Sequence, residues 1–475
     1  MWLRRISIFG VSLLIAHGCA TIPQQDLAER MTSSGCDKVS SLAIESGFFE
    51  VGEWPQDTWW ESFDDSALNQ LIAKGLENSP TLQRAEARLK LAAQVALQRK
   101  ARLYPEIDLD ADTNWQHLSR HGLYREFGGP YPPVINQVDL GFSFSYEFDF
   151  WGKNRDLFQA ALGKAAATLA EKKQAELILT TSIAYTYFQV QFLLRKLDIL
   201  EQLEDNQQKI LDITSRRETH ALATAFDRLS ASSMTCNVKE EMLSTEQLLR
   251  IELHKLKALT ALGQDAIIEL SWKPLKDTLV ALPTNLSLDL LSRRPDLTAQ
   301  TLRVDAAAKE IGAAKTDFYP NINLMGILGL ESIPGSTLFR RDSFNANIEP
   351  ALHLPIFTAG RLKAQLFEKV EAFDEAVYAY NELLLQAAQE VTDSLTSIAL
   401  LKKQITTHQS ILDDASQKVQ LTAERVQYAL DNQLSLLKAQ NVSLEEELAL
   451  TQLNYSRQLV VIQLIRALGG GYHYE

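Results

Sequence analysis

Residues 139–150 read DLGFSFSYEFDF. Aromatic or aliphatic residues occupy every second position, and aspartate, glycine, serine or glutamate stands between them. Because successive side chains of a β-strand point to opposite faces, this spacing places one apolar and one polar face on a single strand. A length of about ten to twelve residues is that of a strand that crosses a bilayer. The stretch therefore predicts a membrane-spanning β-strand.

Four such strands are predicted, near 106–116, 138–150, 321–331 and 345–357. A soluble antiparallel sheet with one face in a protein core is the alternative. The polar positions are heavily acidic, which suits a wet lumen, and the apolar positions are aromatic-rich, which suits lipid. We expect lipid contact from Trp115, Phe142, Phe144, Tyr146, Phe148 and Phe150. The acidic residues expected to face the lumen are Asp108, Asp110, Asp112, Glu147, Asp149 and Glu349.

Four strands are too few to close a barrel that is wide enough to conduct. Unpaired strand edges cannot be exposed to lipid, because no water is present to satisfy their backbone groups. Other copies of the chain must then complete the sheet, and three copies supply about twelve strands. The barrel interpretation therefore predicts a homotrimer.

Long helices are predicted from the placement of proline. All fourteen prolines lie in 23–133 or 274–355, so the stretches 134–273 and 356–475 contain none. Proline disrupts a helix interior, and its absence permits helices at 153–218, 225–262, 360–428 and 433–467. A helix of about 65 residues is on the order of 100 Å long. A tunnel of packed helices and a solid coiled-coil rod both accommodate such lengths.

The two halves of the chain repeat one another. Residues 80–109 align with 295–324 without a gap, and ten of the thirty positions are identical. A period this long indicates duplication of one large unit, not a short solenoid repeat. The predicted organisation is a signal peptide at 1–18, an N-terminal segment at 19–60, a first repeat at 61–273 and a second at 274–475.

The N-terminus has the features of a secretory signal. Arg4 and Arg5 precede an apolar run that ends at Ala16, and the small Gly18 precedes Cys19. The run is too short to span a bilayer as a helix. The cysteine resembles the acceptor of a bacterial lipobox, so we expect lipid attachment at Cys19; ordinary cleavage after Gly18 is the alternative. Later in the chain, the best candidate for a transmembrane helix, 177–194, contains too many polar residues.

Several classes of protein are disfavoured by composition. The net charge of -13, without a basic cluster, argues against nucleic acid as a partner. Three cysteines are too few for a disulfide scaffold, and Cys36 and Cys236 pair only if the fold brings them together. His117 and His121 fall in a glycine-rich loop, which disfavours a zinc site. Phosphate-binding and nucleophile motifs are absent from the sequence, so we expect no enzyme activity, cofactor or metal site.

A set of short motifs runs through both repeats. It comprises WWESFDD at 59–65, NSP at 78–80, RPDL at 294–297, LPIFTAG at 354–360 and RVQYALDNQLSLLKAQ at 425–440. In order and spacing, the set resembles the outer-membrane factor (TolC) family, especially its lipoprotein branch in tripartite efflux systems of the RND type.

The resemblance implies an α+β membrane protein in which three internally duplicated protomers form a 12-stranded β-barrel on a long periplasmic α-helical barrel. Such a channel is a passive efflux conduit, anchored by lipid at the periplasmic side of the outer membrane. Its partners are a periplasmic adaptor and an inner-membrane pump. A non-conducting coiled-coil envelope lipoprotein is the alternative.

The resemblance also implies roles for residues at the helix tips. Asp431 matches the aspartate of the family near the periplasmic constriction, and Arg425 is a second gate candidate. Ala221 and Ala429 stand where the family usually has glycine at the turns that dock the adaptor. Alanine resists positive φ. Either the turns are reshaped here, or the adaptor docks differently.

Overall fold

A computed structural model describes residues 22–32, 52, 54–119, 121, 133–274 and 293–474. The predicted signal peptide, Cys19 and Cys36 lie outside these residues. The helices are α1 (Ser66–Asn78), α2 (Pro80–Ala101), α3 (Lys153–Thr219), α4 (Ala225–Leu259), α5 (Pro295–Thr316), α6 (Arg361–Gln427) and α7 (Gln433–Ala467). The strands are β1 (Glu106–His117), β2 (Val134–Glu147), β3 (Asn321–Ser332) and β4 (Phe344–His353).

Corresponding helices of the two repeats have equal lengths. Both α3 and α6 contain 67 residues, both α4 and α7 contain 35, and both α2 and α5 contain 22. The long helices end within three residues of the predicted bounds. Equal lengths keep the two halves in the same order of helix, strand pair and helix pair.

The four strands form one antiparallel sheet in the order β1-β2-β3-β4. The central pairing, between β2 and β3, joins the first repeat to the second. The register keeps like faces together across all strands: Ile107 pairs with Phe144, Phe142 with Leu328, and Gly326 with Ile348. One face of the sheet is therefore apolar from edge to edge, and the other is mostly polar.

Two strands end earlier than the alternation predicted. Strand β2 covers Val134–Glu147 where the sequence predicted 138–150, and β4 covers Phe344–His353 where it predicted 345–357. The N–H of Phe148 still bonds the carbonyl of Ile322, at 2.9 Å, and the chain then turns. Phe148 and Phe150 were predicted as strand residues, and they lie between β2 and α3.

Asp149 has a different role from the predicted one. Its carboxylate accepts the backbone N–H groups of Asn154 and Arg155, at 2.9 and 3.0 Å. The first turn of a helix has N–H groups without helical partners, and an aspartate placed before it satisfies them. Its side chain is only 12% exposed. Asp149 therefore caps α3 from the linker after β2, and its position at the lumen stays a prediction.

The chain forms two compact units, and each draws residues from both repeats. Among the described residues, the first unit contains those up to Arg30 and those in Leu89–Ala167 and Gln300–Ala379. The second unit contains those in Met31–Arg88 and Thr168–Ala299 and those from Tyr380 onward. Matching parts of the two repeats pack against one another within each unit, as the pairing of β2 with β3 shows. The sequence repeats are therefore not separate packing domains.

The core of the second unit explains the WWESFDD motif. Trp59 and Phe63 are buried. Asp65 caps α1 through the N–H of Ala67, pairs with the Lys273 ammonium at 2.9 Å, and accepts the hydroxyl proton of Tyr187. Partial burial opposes ionisation of Asp65, but these bonds prevail and hold its pKa below the usual range. The motif thus ties the N-terminal segment to α3.

Arg294, from the RPDL motif, makes a second set of buried polar contacts in this unit. The side chain is 6% exposed, and its guanidinium bonds the carboxylates of Asp296 and Glu390 at 2.7 and 2.8 Å. It also donates to the carbonyl of Ala467 at 3.2 Å. Burial disfavours its charge, but the two carboxylates outweigh burial and raise the pKa of Arg294. The start of α5 is thereby fixed to α6 and to the end of α7.

Among the described helices, α3 is the one with a window apolar enough to cross a membrane by composition. That window is 67% buried inside the protein. Ile183, Tyr187 and Val190 in this region have essentially no exposed surface. The apolar composition of the predicted candidate, 177–194, is therefore used for packing.

Candidate channel wall and helix tips

The polar face of the sheet is acidic along β1. The register sets three carboxylates of β1 opposite residues of β2: Asp108 with Ser143, Asp110 with Gly141, and Asp112 with Asp139. All twelve residues of β1 are exposed. The hydroxyl of Ser143 donates to Asp110 at 2.6 Å. These side chains share one exposed face of the sheet, as a wet channel wall requires.

The remaining acidic candidates extend this face to β4. Glu147 ends β2 and accepts a hydrogen bond from Asn321 at 3.0 Å, and Glu349 lies opposite Met325. Met325 and Ile327 are apolar exceptions on the polar face, 43% and 51% exposed. The face is therefore acidic on its β1 side and mixed on its β3 side.

Two carboxylates of the polar face were missing from the predicted set. Asp139 lies directly opposite both Asp112 and Glu331, so three acidic residues form one row across the strands. Like charges placed opposite one another destabilise a sheet. The amide of Gln137 donates to both Asp139 and Glu331, and Asn345 donates to Glu331 at 2.8 Å. Asp139 occupies a polar position of the alternating stretch 139–150, and this alternation was the signal that could have identified it.

The apolar face is exposed on both edge strands. Ile107 and Trp115 on β1 are each 67% exposed, and Ile348 on β4 is 72% exposed. The ring of Phe144 covers the position where Gly326 lacks a side chain. An apolar surface this continuous marks a contact with lipid or protein. Trp115, Phe142, Phe144 and Tyr146 share this face, and their contact with lipid stays a prediction.

The sheet is open at β1 and at β4. Each is hydrogen-bonded to one neighbouring strand among the described residues. A long exposed edge strand offers a row of backbone donors and acceptors to another chain. The geometry therefore leaves two edges that copies of the same chain can pair.

The two helix tips share one turn geometry. The N–H of Leu222 bonds the carbonyl of Arg217 at 2.7 Å, and the N–H of Leu430 bonds that of Arg425 at 2.8 Å. This bond is typical of a helix end with a left-handed residue, usually glycine. Ala221 and Ala429 adopt that conformation, with φ of 56° and 54°. The turns thus keep the glycine-type geometry, and alanine bears the strain.

The gate candidates are in contact with each other at the second tip. The Arg425 Nε lies 3.4 Å from the Asp431 carboxylate, which also accepts the N–H of Asn432 at 2.8 Å. Hydrogen bonds from Ser435 and Asn432, with the charge of Arg425, hold the pKa of Asp431 below its usual range. Ala223 is the counterpart of Asp431 in the first repeat. The carboxylate is therefore particular to the second tip.

Comparison with known proteins assigns this chain to a family. The family model for the outer membrane efflux protein matches residues 71–262 and 286–470. The chain belongs to the outer membrane efflux protein family. Its predicted fold class is confirmed: long helices are joined to a four-stranded antiparallel sheet, as in the outer-membrane channels that it resembles.

Related proteins cover nearly the whole chain. The multidrug resistance outer membrane protein MdtP of Escherichia coli K12 is 29% identical over 473 residues, which are 98% of this chain and 96% of MdtP. The outer membrane protein VceC of Vibrio cholerae has a TM-score of 0.78 at 31% identity, over 88% of this chain and 100% of VceC. The CmeC outer membrane channel of Campylobacter jejuni shares the fold, with a TM-score of 0.84 at 22% identity over 96% of this chain and 94% of CmeC.

Membership of the outer membrane efflux protein family confirms the predicted location in the outer membrane and the predicted role in efflux. Channels of the family are homotrimers that work with adaptor proteins and inner-membrane pumps. Among the described residues, Cys236 is an exposed thiol without a disulfide partner, and its predicted candidate partner Cys36 lies outside them. The described residues contain no group of three or more potential metal ligands.

Proposed function

We propose that three copies of this chain form a passive conduit that carries small drug-like molecules across the outer membrane. The observation that carries the proposal is the single-chain sheet, with one exposed apolar face, one acidic face and two unpaired edges. Lipid on one face and water on the other is the environment that such a sheet requires. The multidrug resistance named for MdtP supports this substrate class.

The conduit acts without catalysis, and the inner-membrane pump supplies the energy. The acidic polar face gives a mild preference for cations, since a row of like charges raises the local concentration of counter-ions. A wide, wet channel leaves most of the choice of substrate to the pump.

We assign adaptor docking to the two tips, around Ala221 and Ala429. Exposed apolar side chains flank both alanines: Leu222 and Phe226 are 68% and 77% exposed, and Tyr428 is 72% exposed. Apolar side chains this exposed at the end of a helix pair favour burial against a partner protein.

The lipid anchor at Cys19 is supported by the reach of the N-terminal segment. The N–H of Ala28 bonds the Asp374 carboxylate at 2.8 Å, and Arg30 pairs with Asp305 at 2.8 Å. Asp374 lies thirteen residues into α6, about 20 Å along the helix from Arg361. The nine residues from Ala28 back to position 19 span up to about 30 Å when extended. Nine extended residues are therefore long enough to pass the start of α6.

Planar-bilayer recordings of the purified protein test the conduit. We expect a heat-modifiable trimer with discrete conductance steps that prefer cations. A monomer without conductance would favour the coiled-coil envelope lipoprotein and overturn the proposal.

Labelling with radioactive palmitate tests the anchor separately: the wild type should incorporate label, and Cys19→Ser should not.

A further inference from the structure

We infer that a cavity between α3, α4 and α7 binds a zwitterionic organic molecule of drug size, with the anionic end of the molecule toward the helix tips. The inference goes beyond the proposed conduit, which needs no binding site in its helical part. It assigns a ligand to side chains that neither the faces of the sheet nor the tip turns use.

The cavity lies within the second unit and has a volume of about 600 Å³. It is bordered by the end of α3, the start of α4 and the start of α7, and is therefore close to both tips. Drug-sized ligands occupy protein cavities of about 300 to 1,000 Å³, and the space between packed helices is one of their usual positions. One such molecule fits this cavity.

The floor of the cavity is apolar. Ile210 of α3 and Ala231 of α4 are buried in one hydrophobic cluster with Leu437 of α7, and Leu434 packs against this cluster. Except for Leu437, these residues line the cavity, together with Met234. The unbranched side chain of methionine adapts to ligands of different shapes. The floor therefore suits an apolar ring system.

One buried polar side chain of the cavity lacks a hydrogen-bond partner. Asn441 of α7 lines the cavity and is only 6% exposed. Its carbonyl oxygen is buried and accepts no hydrogen bond from the described residues. A buried acceptor without a donor is unfavourable, and half a turn of the amide presents either its oxygen or its NH₂ group to a ligand. Asn441 therefore indicates a ligand with polar atoms beside its ring system.

The two ends of the cavity carry opposite charges. Arg217 and Lys438 line the end that is nearest the tips. Hydrogen bonds from Thr224 and the charges of these two cations hold the pKa of Asp227, which lines the same end, below its usual range. One carboxylate beside two cations leaves a net positive charge there. Glu445 lines the cavity seven residues after Lys438, about 10 Å farther along α7, and makes the other end negative.

This charge pattern selects a zwitterion as the ligand. A molecule with a carboxylate at one end, an ammonium at the other and an apolar ring system between them complements the cavity along its length. A molecule with a single charge loses the attraction at one end, and an uncharged molecule loses it at both. Each attraction at such a partly exposed site changes affinity by up to about fivefold.

Equilibrium dialysis with norfloxacin tests the inference. This zwitterion has a carboxylate and an ammonium at opposite ends of one ring system; its methyl ester lacks the first charge and its N-acetyl derivative lacks the second. Full-length protein in lipid nanodiscs is dialysed against each probe, and binding to empty nanodiscs is subtracted. We expect saturable binding of norfloxacin, with a dissociation constant about threefold to fivefold lower than that of either derivative.

Substitutions at the two ends assign the orientation of the probe. Lys438→Gln should reduce the advantage of norfloxacin over its methyl ester and keep its advantage over the N-acetyl derivative. Glu445→Gln should have the reverse effect. Asn441→Leu, which replaces the amide with an apolar group of similar size, should weaken the binding of all three probes by about threefold to tenfold.

Lys418→Gln and Glu240→Gln are the matched controls, because both residues are exposed on α6 and α4 and lie outside the lining of the cavity. Neither change should alter the three dissociation constants. Binding that does not saturate, equal affinity for the three probes, or unchanged selectivity in either Lys438→Gln or Glu445→Gln overturns the inference. Tighter binding of a singly charged derivative assigns the cavity to a simple anion or cation and overturns it as well. Planar-bilayer conductance of the same protein separates the two failures: a conducting trimer without selective binding contradicts this inference alone.

Discussion

At the scale of single residues, the tip alanines bear backbone strain that glycine would relieve. Ala429 has a φ of 54°, and an L-residue pays roughly 1 to 2 kcal/mol for that conformation. Glycine loses about 0.5 to 1 kcal/mol of this gain through the entropy of the unfolded chain. We expect Ala429→Gly to raise the free energy of unfolding by about 0.5 to 1 kcal/mol, measured by urea denaturation in detergent.

The matched control for this substitution is Ala364→Gly, at an exposed helical position of α6. Helical alanine is unstrained, so the same chemical change should lower stability there by about 1 kcal/mol. A loss of stability at both positions would show that the turn at Ala429 is not strained.

Asp431 is expected to hold the second tip closed through Arg425. Asp431→Ala should raise single-channel conductance, because it removes the acceptor of the Arg425 contact and of the Asn432 N–H. Asp414→Ala, which removes an equal charge from an exposed position of α6, should leave conductance unchanged. Equal conductance in the wild type and Asp431→Ala would remove Asp431 from the gate.

The same contact predicts a direction for pH dependence. The pKa of Asp431 is lowered in the folded tip, so its stabilising effect is complete above the ordinary pKa of about 4 and is lost as pH falls through the lowered value. Conductance of the wild type should stay constant from neutral pH to about pH 4 and rise below it. Asp431→Ala should lack this rise.

At the scale of elements, a pair of glycines sets how closely β2 and β3 approach. Gly329 lies opposite Gly141, and a methyl group on Gly329 would come within 2.5 Å of the Gly141 Cα and of the Leu140 carbonyl. Gly329→Ala should therefore separate the strands and destabilise the protein by about 1 to 3 kcal/mol. Heating before gel electrophoresis should show trimer dissociation at a lower temperature. Gly263→Ala, where a methyl group meets nothing within 4 Å, should not change it.

The buried Arg294 makes a second prediction at this scale. Arg294→Ala leaves Asp296 and Glu390 without their guanidinium partner, and breaking a buried ion pair costs about 3 to 5 kcal/mol. Arg250→Ala is the comparison, since Arg250 pairs with Glu246 on the surface of α4 at 71% exposure and should cost no more than about 0.5 kcal/mol. The urea concentrations at the midpoints of unfolding of the two variants are compared. Similar midpoints would contradict a stabilising role of Arg294 at the start of α5.

At the scale of the whole molecule, the anchor that we propose at Cys19 sets a distance that the N-terminal segment must span to Asp374. Deleting Pro23–Asp26 leaves five residues, which reach about 17 Å and fall short of the start of α6. We expect this deletion to break the hydrogen bond between Ala28 and Asp374. Limited proteolysis should then cut the segment faster than in the wild type. Replacing the same four residues with glycine and serine keeps the reach and should keep the protection. Equal protection in both variants would contradict an anchor at Cys19.

Local periodicity made most of the architecture predictable from the sequence. Alternation at 139–150 and in the other stretches indicated strands, and the proline-free stretches indicated long helices, because both signals depend on neighbouring residues alone. The duplication then predicted an order of elements that the two halves share. The ends of β2 were less predictable, since Phe148 and Phe150 continue the alternation after the chain has left the sheet.

The sequence by itself determined the elements, the need of a four-stranded sheet for further copies of the chain, and most of the acidic face of the sheet. Only the tertiary structure decided the register that aligns Asp112, Asp139 and Glu331, and the left-handed conformation of Ala429. The reason is physical: register depends on hydrogen bonds between segments nearly 200 residues apart, and a strained φ is imposed by the packing on either side of the turn. The alternation in 139–150 predicted the two faces of a strand. Pairing between the strands decided which side chains lie together on each face.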